Sequence, residues 1–487
     1  MLRLTIIAVL LSAVAPVLAQ EVKIKGLPIL GLWWDGQFGA KTAISADGNV
    51  VAISAPGDVS GKVFVYQWQD SSWVQRGAEI WGQTTSDDFG EAMCLSADGT
   101  VLAVGAPRND IAGSTSGHVR VYDWVDTTWV QRGKDIFGAM ANDQFGGGLA
   151  MSTDGNVLAV GAPTSIMDGA QKGYVRVLEW VDTAWVAKGD SIRTLNGGGS
   201  FGANVAISDD GNLLLISANK DSENAFYSGI VHAYKWNGSS WELIWNTAGN
   251  EGDQLGKGLS LSPDGKMLAV SAIYSDHNNQ TDLGHVQIYE WNGSTFVERG
   301  PAIIGTAEAA QFGASIDISD DGSMLVVGAP SSINSFGEVK TYHWNGTDWE
   351  SLGEQITGNQ GSYFGWSTAI TGDGKSWVAG GPLLDNFGGN NTGISSVYEV
   401  TLNQTGLNHQ EKQSTISCYP NPAEDHVLLR APGKFEYAIY DVRGEIVGKG
   451  VSSSSQKKVS VSNLISGVYI FSITSTHTSR KVRFVKL

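Results

Sequence analysis

The sequence predicts an all-β protein: a seven-bladed β-propeller of four-stranded blades, followed by a small Ig-like β-sandwich. Three observations carry this expectation: a recurring Phe-Gly pair, an Asp-Gly turn downstream of it, and a change of character after residue 403. Composition agrees. With 62 Gly, 17 Trp and only 17% charged residues, the chain is rich in turn and strand formers and poor in helix formers. A length of 487 residues and 42% apolar content allow two or three packed domains.

The repeat comes first. Phe38-Gly39, Phe89-Gly90, Phe145-Gly146, Phe201-Gly202, Leu255-Gly256, Phe312-Gly313 and Phe364-Gly365 follow one another at intervals of 51 to 57 residues. After each pair a hairpin is spelled out, as in Ser45-Ala46-Asp47-Gly48 before Val50-Val51-Ala52-Ile53-Ser54-Ala55. Asp-Gly between two apolar runs is a strong turn signal, because Gly accepts the positive φ that such turns need. A variable loop leads to a third run, such as Val119-Arg120-Val121-Tyr122-Asp123-Trp124, and a second turn leads to a fourth, such as Trp73-Val74-Gln75-Arg76. Such four-stranded meanders gain stability by stacking around an axis, which buries both faces of each sheet.

The two ends close the ring. The seventh repeat lacks a fourth run, and the missing piece stands at the N-terminus. Lys25-Gly26-Leu27-Pro28-Ile29-Leu30-Gly31 matches Arg76-Gly77-Ala78-Glu79-Ile80-Trp81-Gly82, so the N-terminal strand is expected to complete the last blade and leave no open edge.

In order, Phe-Gly and Gly-Ala-Pro (intact at 105–107, 161–163 and 328–330) resemble FG-GAP repeats, the blade units of integrin-α-type propellers and of many bacterial surface proteins. The resemblance spans about residues 22–402. Integrin-type blades carry a calcium loop of alternating carboxylates in the first hairpin; here that turn shrinks to Ser-Ala-Asp-Gly, too few oxygens for a hard cation. No metal and no cofactor are expected.

After residue 403 come Tyr419-Pro420-Asn421-Pro422, the strand Gly467-Val468-Tyr469 and a basic end, spaced as in a small β-sandwich. These residues resemble the C-terminal sorting domain of type IX secretion cargo in Bacteroidetes, which implies passage across the outer membrane, removal of the module, and release or surface attachment. At the other end, Arg3, the apolar run Leu4 to Val14 and Val17-Leu18-Ala19 read as a secretory signal cleaved between Ala19 and Gln20. The expected organisation is a signal at 1–19, the propeller at 20–403, a linker at 404–414 and the sorting domain at 415–487. No transmembrane anchor is expected, since no apolar run is long enough.

Function is less legible. Residues 412–487 hold 11 basic and 5 acidic residues within a chain of net charge −17, leaving a main body that would repel a phosphate backbone, so no nucleic-acid partner is expected. Cys94 and Cys418 fall in different domains and offer no disulfide framework. No His-Glu-x-x-His, Gly-x-Ser-x-Gly or phosphate loop occurs, and the chain is expected not to be an enzyme. Six tryptophans, Trp68, Trp124, Trp180, Trp236, Trp291 and Trp344, share one repeat position and suit blade packing; Trp33, Trp34 and Trp81 break the pattern and suit stacking on a sugar ring. A binding face is expected where loops vary on a fixed scaffold, after each Gly-Ala-Pro: Arg108, Asn109, Asp110, Asp168, Asp221, Glu223, Asp276, His277, Asn278 and Asp385. Each of these also reads as a solvated loop tip. The expected function is therefore adhesion or glycan or protein binding at the cell surface or outside the cell, with the type IX machinery as partner. A propeller enzyme acting on polysaccharide, with paired carboxylates, and a structural envelope protein are the alternatives.

Overall fold

A computed structural model of the protein describes residues 20–402, apart from 168–169, 195–198, 278 and 387–388. It also describes residues 417–486, apart from 420–424, 432–433, 442–444 and 476–478. The signal segment with Ala19, and the linker at 404–414, lie outside the described residues. The chain divides into two compact units, Met1–Gln404 and Thr405–Leu487.

The first unit is all-β, with the propeller-like architecture of repeated antiparallel sheets. Each Phe-Gly pair opens one sheet. In the first, Thr42–Ile44, Val50–Ala55, Lys62–Gln69 and Ser72–Gln75 pair in sequence order, and Ile80–Trp81 returns to pair with the start of the third strand. Among the described residues the sheets that follow pair their first three strands in the same order, and the first strands of successive sheets pack side by side, with that of the last sheet, Ser367–Ile370, against Thr42–Ile44. The last sheet takes its outer strand from the N-terminus: Gln20–Ile24 pairs antiparallel with Ile394–Leu402, Val22 opposite Val400, and Ile29–Leu30 pairs with the same strand further along. The expected strand exchange is thus present in the pairing.

The chemistry of the repeat explains itself in the packing. The second strands, such as Val101–Ala106, are buried on both faces, as their unbroken apolar composition requires. Each Phe of the Phe-Gly pairs is buried between sheets, and the Gly that follows has positive φ, +89° at Gly202. The glycine of Gly-Ala-Pro faces it from the preceding sheet: a Cβ on Gly161 would overlap the Gly202 carbonyl oxygen. Where Ser271 replaces that glycine, its hydroxyl donates instead to the carbonyl oxygen of Gly313 at 2.7 Å. The two halves of the repeat are therefore the two sides of one close contact between sheets.

The Asp-Gly turns are closed by their own side chains. Ser45 Oγ–H donates to Asp47 Oδ1 at 2.6 Å, the Asn49 N–H to the same oxygen at 3.0 Å, and Gly48 takes φ +69°. Burial pushes the Asp47 carboxyl upward, but hydrogen bonds from Ser45 and Asn49 outweigh it and hold it below its ordinary range. These carboxylates serve their turns.

The second unit has two antiparallel sheets, one of Ser417–Tyr419, His426–Arg430 and Gln456–Ser460, the other of Ile446–Ser452, Phe435–Tyr440, Gly467–Ser475 and Ser479–Lys486. Val427, Leu429 and Val459 of the first share a core with Phe435, Phe471 and Phe484 of the second.

Candidate functional site

The loops after Gly-Ala-Pro lie on the same side of the first unit as the connections between sheets, because the two are hydrogen-bonded to each other. The Ser86 N–H donates to the Val59 carbonyl at 2.7 Å, Asn142 to Ser114 at 2.7 Å, and Asp35 to Asn390 at 2.9 Å. The sequence-selected loop residues divide on this face. Asn109 and Asp221 are buried, and each shapes its loop, accepting from the Ile111 N–H at 3.1 Å and the Glu223 N–H at 2.7 Å. Asp110 accepts from the Thr115 N–H, Asp276 from that of Asp282, and Asp385 from that of Asn391. Arg108 reaches Asp88 at 3.0 Å. His277 turns inward, its Nε2 3.1 Å from Nδ1 of His285 and 3.2 Å from the Ser275 hydroxyl. Glu223 lines a cleft with Asn224, His232, Arg193 and Trp241. Asp168 and Asn278 lie outside the described residues. These residues are spread over separate loops rather than gathered in one site.

Two other features do gather side chains. The first is aromatic. Trp33, Trp34 and Trp81 are 51%, 69% and 46% exposed, whereas tryptophans such as Trp68 and Trp73 pack against each other in tilted pairs within their sheets. The Lys62 ammonium, itself buried and paired with Asp58, lies 4.1 Å from the Trp33 ring centroid and 3.8 Å from that of Trp81. Trp34 leans on Gly389, and Asp35 accepts from the Asn391 side chain at 2.8 Å, so the loop of Asp385 supports the tryptophan segment from behind. One indole face of each of Trp33 and Trp81 is held by a fixed cation while much of the ring meets solvent.

The second feature is the cavity at the mouth of the axis, about 570 Å³ in volume. Its wall includes Lys41, Glu91, Lys220, Lys257, Tyr274 and Trp366. Deeper along the axis the first strands enclose a further space of about 370 Å³, where Asp317 sits. Burial lifts the Asp317 carboxyl to about 6, although Ile370 N–H (2.9 Å), Ser260 Oγ–H (2.7 Å) and Ile318 N–H (3.1 Å) all donate to it and pull the other way. Asp317 ties three neighbouring sheets together, and both of its oxygens are engaged in doing so.

The mouth residues escaped the sequence reading. Glu91, Lys257 and Trp366 stand directly after a Phe-Gly or Leu-Gly pair and Lys41 two places after one, and the residue before each pair, Gln37, Gln254 or Gln311 for example, has positive φ. Aligning the seven copies at these positions would have shown Trp366 where Ala or Gly stands in four others. Among the described residues no group of three or more His, Cys, Asp or Glu is placed to hold a metal ion.

Residues 417–486 match the family of secretion system C-terminal sorting domains. The second unit is thus a type IX sorting domain, and the protein is one exported to the cell surface or the extracellular space. Among the described residues no helix is long and apolar enough to cross a membrane. Pro420, Asn421 and Pro422 of the opening motif lie outside the described residues, and Tyr419 ends a strand. Gly467, Val468 and Tyr469 open the strand Gly467–Ser475, where the Tyr469 hydroxyl donates to the Ile465 carbonyl at 2.8 Å and the ring stacks on Phe484.

Among curated proteins none matches the sequence. Among solved structures, the chain is similar to hydrazine synthase of Kuenenia stuttgartiensis, at 18% identity and TM-score 0.50, over 71% of this chain and 92% of that one. It is also similar, at 13% identity and TM-score 0.42, to a functionally unknown protein from Desulfotomaculum acetoxidans, over 66% of this chain and 89% of that one. The first likeness bears on the fold alone.

Proposed function

We propose that the first unit is a seven-bladed propeller of FG-GAP type, followed by an Ig-like sorting sandwich, and that it is a non-enzymatic binding module which takes glycan at the cell surface. The observation that carries this reading is the group of Trp33, Trp34 and Trp81, three indoles left in solvent, of which Trp33 and Trp81 are fixed by Lys62 and Trp34 lies against Gly389. Flat, rigid aromatic surface stacks against the apolar faces of sugar rings at small entropic cost. A hydrolytic alternative needs a free acid and base facing a substrate; the perturbed carboxyl of Asp317 is committed to three donors.

The test is a glycan screen on the purified chain, followed by calorimetry on whatever binds. Trp34→Ala and Trp81→Ala should each weaken binding at least tenfold, with the melting temperature unchanged for Trp34→Ala, whose ring makes no contact with the buried Lys62 ammonium. Release of reducing ends from a polysaccharide, or full binding by both variants, would overturn the reading.

A further inference from the structure

Three ammonium groups, those of Lys41, Lys220 and Lys257, share the cavity at the mouth of the axis with a single carboxylate, Glu91. We infer that this cavity is a second binding site, for an anionic saccharide, distinct from the tryptophan platform and independent of it.

The charge pattern is the first ground. Several other lysines of this acidic unit sit beside carboxylates: Lys25 with Glu399, Lys62 with Asp58, Lys188 with Glu179 and Lys340 with Glu338. Lys41, Lys220 and Lys257 have no carboxylate within ion-pair distance among the described residues, yet they lie close enough for Lys257 to feel the other two. Burial first, then repulsion from Lys41 and Lys220, draws the Lys257 ammonium below its ordinary range, and Glu91 only partly offsets this. Like charges held together against their own repulsion, in a cavity walled by protein, focus a positive potential that an anion relieves.

The remaining lining says what kind of anion. A bare inorganic ion would fill little of about 570 Å³, a volume within the range of small-molecule sites. Gln37 and Gln254 supply amides that both donate and accept, as ligand hydroxyls require, while Gln311 is held by Tyr274 and Ser331. Trp366, 44% exposed and braced edge-on by Tyr363, offers a flat apolar surface at the rim. Cations, amides and one indole together match a sugar that bears a carboxylate or a sulfate ester.

The test is calorimetry of the full chain with three probes of similar size: trigalacturonate, a sulfated galactan trisaccharide and neutral galactotriose, with inorganic sulfate as control. One of the two anionic sugars should bind at least tenfold more tightly than galactotriose, which of them revealing whether carboxylate or sulfate is the anion read. Affinity should fall as salt is raised. The double variant Lys220→Gln/Lys257→Gln should lose at least tenfold and Trp366→Ala several-fold, while Trp34→Ala binds as the parent does; Lys41→Gln provides the same readout should the double variant melt early. Equal binding of galactotriose to the Trp34→Ala protein, where the platform is disabled, undiminished binding by the lysine variants, or inorganic sulfate binding as tightly as the sugars would each overturn the site. Because Trp34→Ala is silent here and the lysine variants are silent at the platform, failure of one site is distinguishable from failure of the other.

Discussion

Trp73 and Lys25 belong to neighbouring sheets, and the Trp73 indole N–H donates to the Lys25 carbonyl oxygen at 3.0 Å. The Lys25 ammonium in turn reaches the Gly48 carbonyl at 3.0 Å and lies over Trp68, 5.3 Å from its centroid. The same latch recurs between later sheets, with Trp129 on Arg76, Trp185 on Arg132, Trp241 on Lys188 and Trp349 on Arg299. Lys25 is the copy that the N-terminal segment brings, so this segment both supplies an outer strand and fastens the last sheet to the first.

A chain lacking residues 20–31 should therefore lose far more than one strand. It bares the edge of Ile394–Leu402, which Gln20–Ile24 and Ile29–Leu30 cover, and removes the Lys25 latch. The expected outcome is a melting temperature lower by on the order of 10 °C, or aggregation on purification. An unchanged thermal transition would show that the closure carries no stability.

Arg132 shows what one latch contributes. Its guanidinium donates to the Gly155 carbonyl at 2.9 Å and to Asn156 Oδ1 at 2.6 Å, and stacks 4.8 Å from the Trp180 centroid. Arg132→Ala should cost about 2–4 kcal/mol in denaturant unfolding, since it removes charge-assisted hydrogen bonds and a partly desolvated cation–π contact. Trp185→Phe keeps an aromatic ring but loses the donor to the Arg132 carbonyl and part of the indole's packing against Trp180, for about 1–2 kcal/mol. Equal losses would mean that packing rather than the latch holds the sheets.

The latch also marks how far the sequence could be read. Repeat length, turn positions and the N-terminal match are local patterns, so the order of strands was legible from Phe-Gly, Asp-Gly and Lys25-Gly26 alone. The pairing of Trp73 with Lys25 was not, because it joins residues 48 positions apart through a carbonyl that has no sequence signature. The same limit applied to the site. Trp33, Trp34 and Trp81 stood out as breaks in a pattern, whereas Lys41, Lys220 and Lys257 look like scattered lysines until the ring brings three sheets to one cavity. Loop tips such as Asn109 and Asp221 were selected for polarity, but in each loop that polarity is turned inward to satisfy backbone N–H groups.

Gly161 tests the contact between the two halves of the repeat. A methyl group there would overlap the Gly202 carbonyl oxygen of the next sheet, a backbone atom that cannot swing away. Gly161→Ala should destabilise by about 2 kcal/mol or more through overpacking. Gly238→Ala, where a Cβ meets nothing within 4 Å, should lose less, the strain of its φ of +101° alone. Urea titration of both variants separates steric from conformational cost, and a Gly161→Ala protein as stable as the parent would remove the contact from the account.

His118 sets an acid limit on stability. The ring is fully buried at the start of the strand His118–Val125, edge-on to Phe137, and neither nitrogen has a hydrogen-bond partner. Burial, and then the nearby charge of Arg120, lower its pKa to about 4, with Asp135 and Asp87 offsetting part of the effect. In the unfolded chain the ring titrates near its ordinary 6.5, so between those values the unfolded state takes up a proton that the folded state refuses. The stability present above about pH 6.5 is therefore lost as pH falls toward about 4, and roughly 2–3 kcal/mol should disappear between pH 7 and pH 4.5 from this residue. Ile230 and Ile394 occupy the same register opposite the second strand in their own sheets, so His118→Ile should fit the site and flatten the acid limb by that amount. Denaturant unfolding of parent and variant at the two pH values measures the difference directly. Parallel losses in both would mean that His118 is already protonated in the folded protein, or that its burial is relieved by local opening.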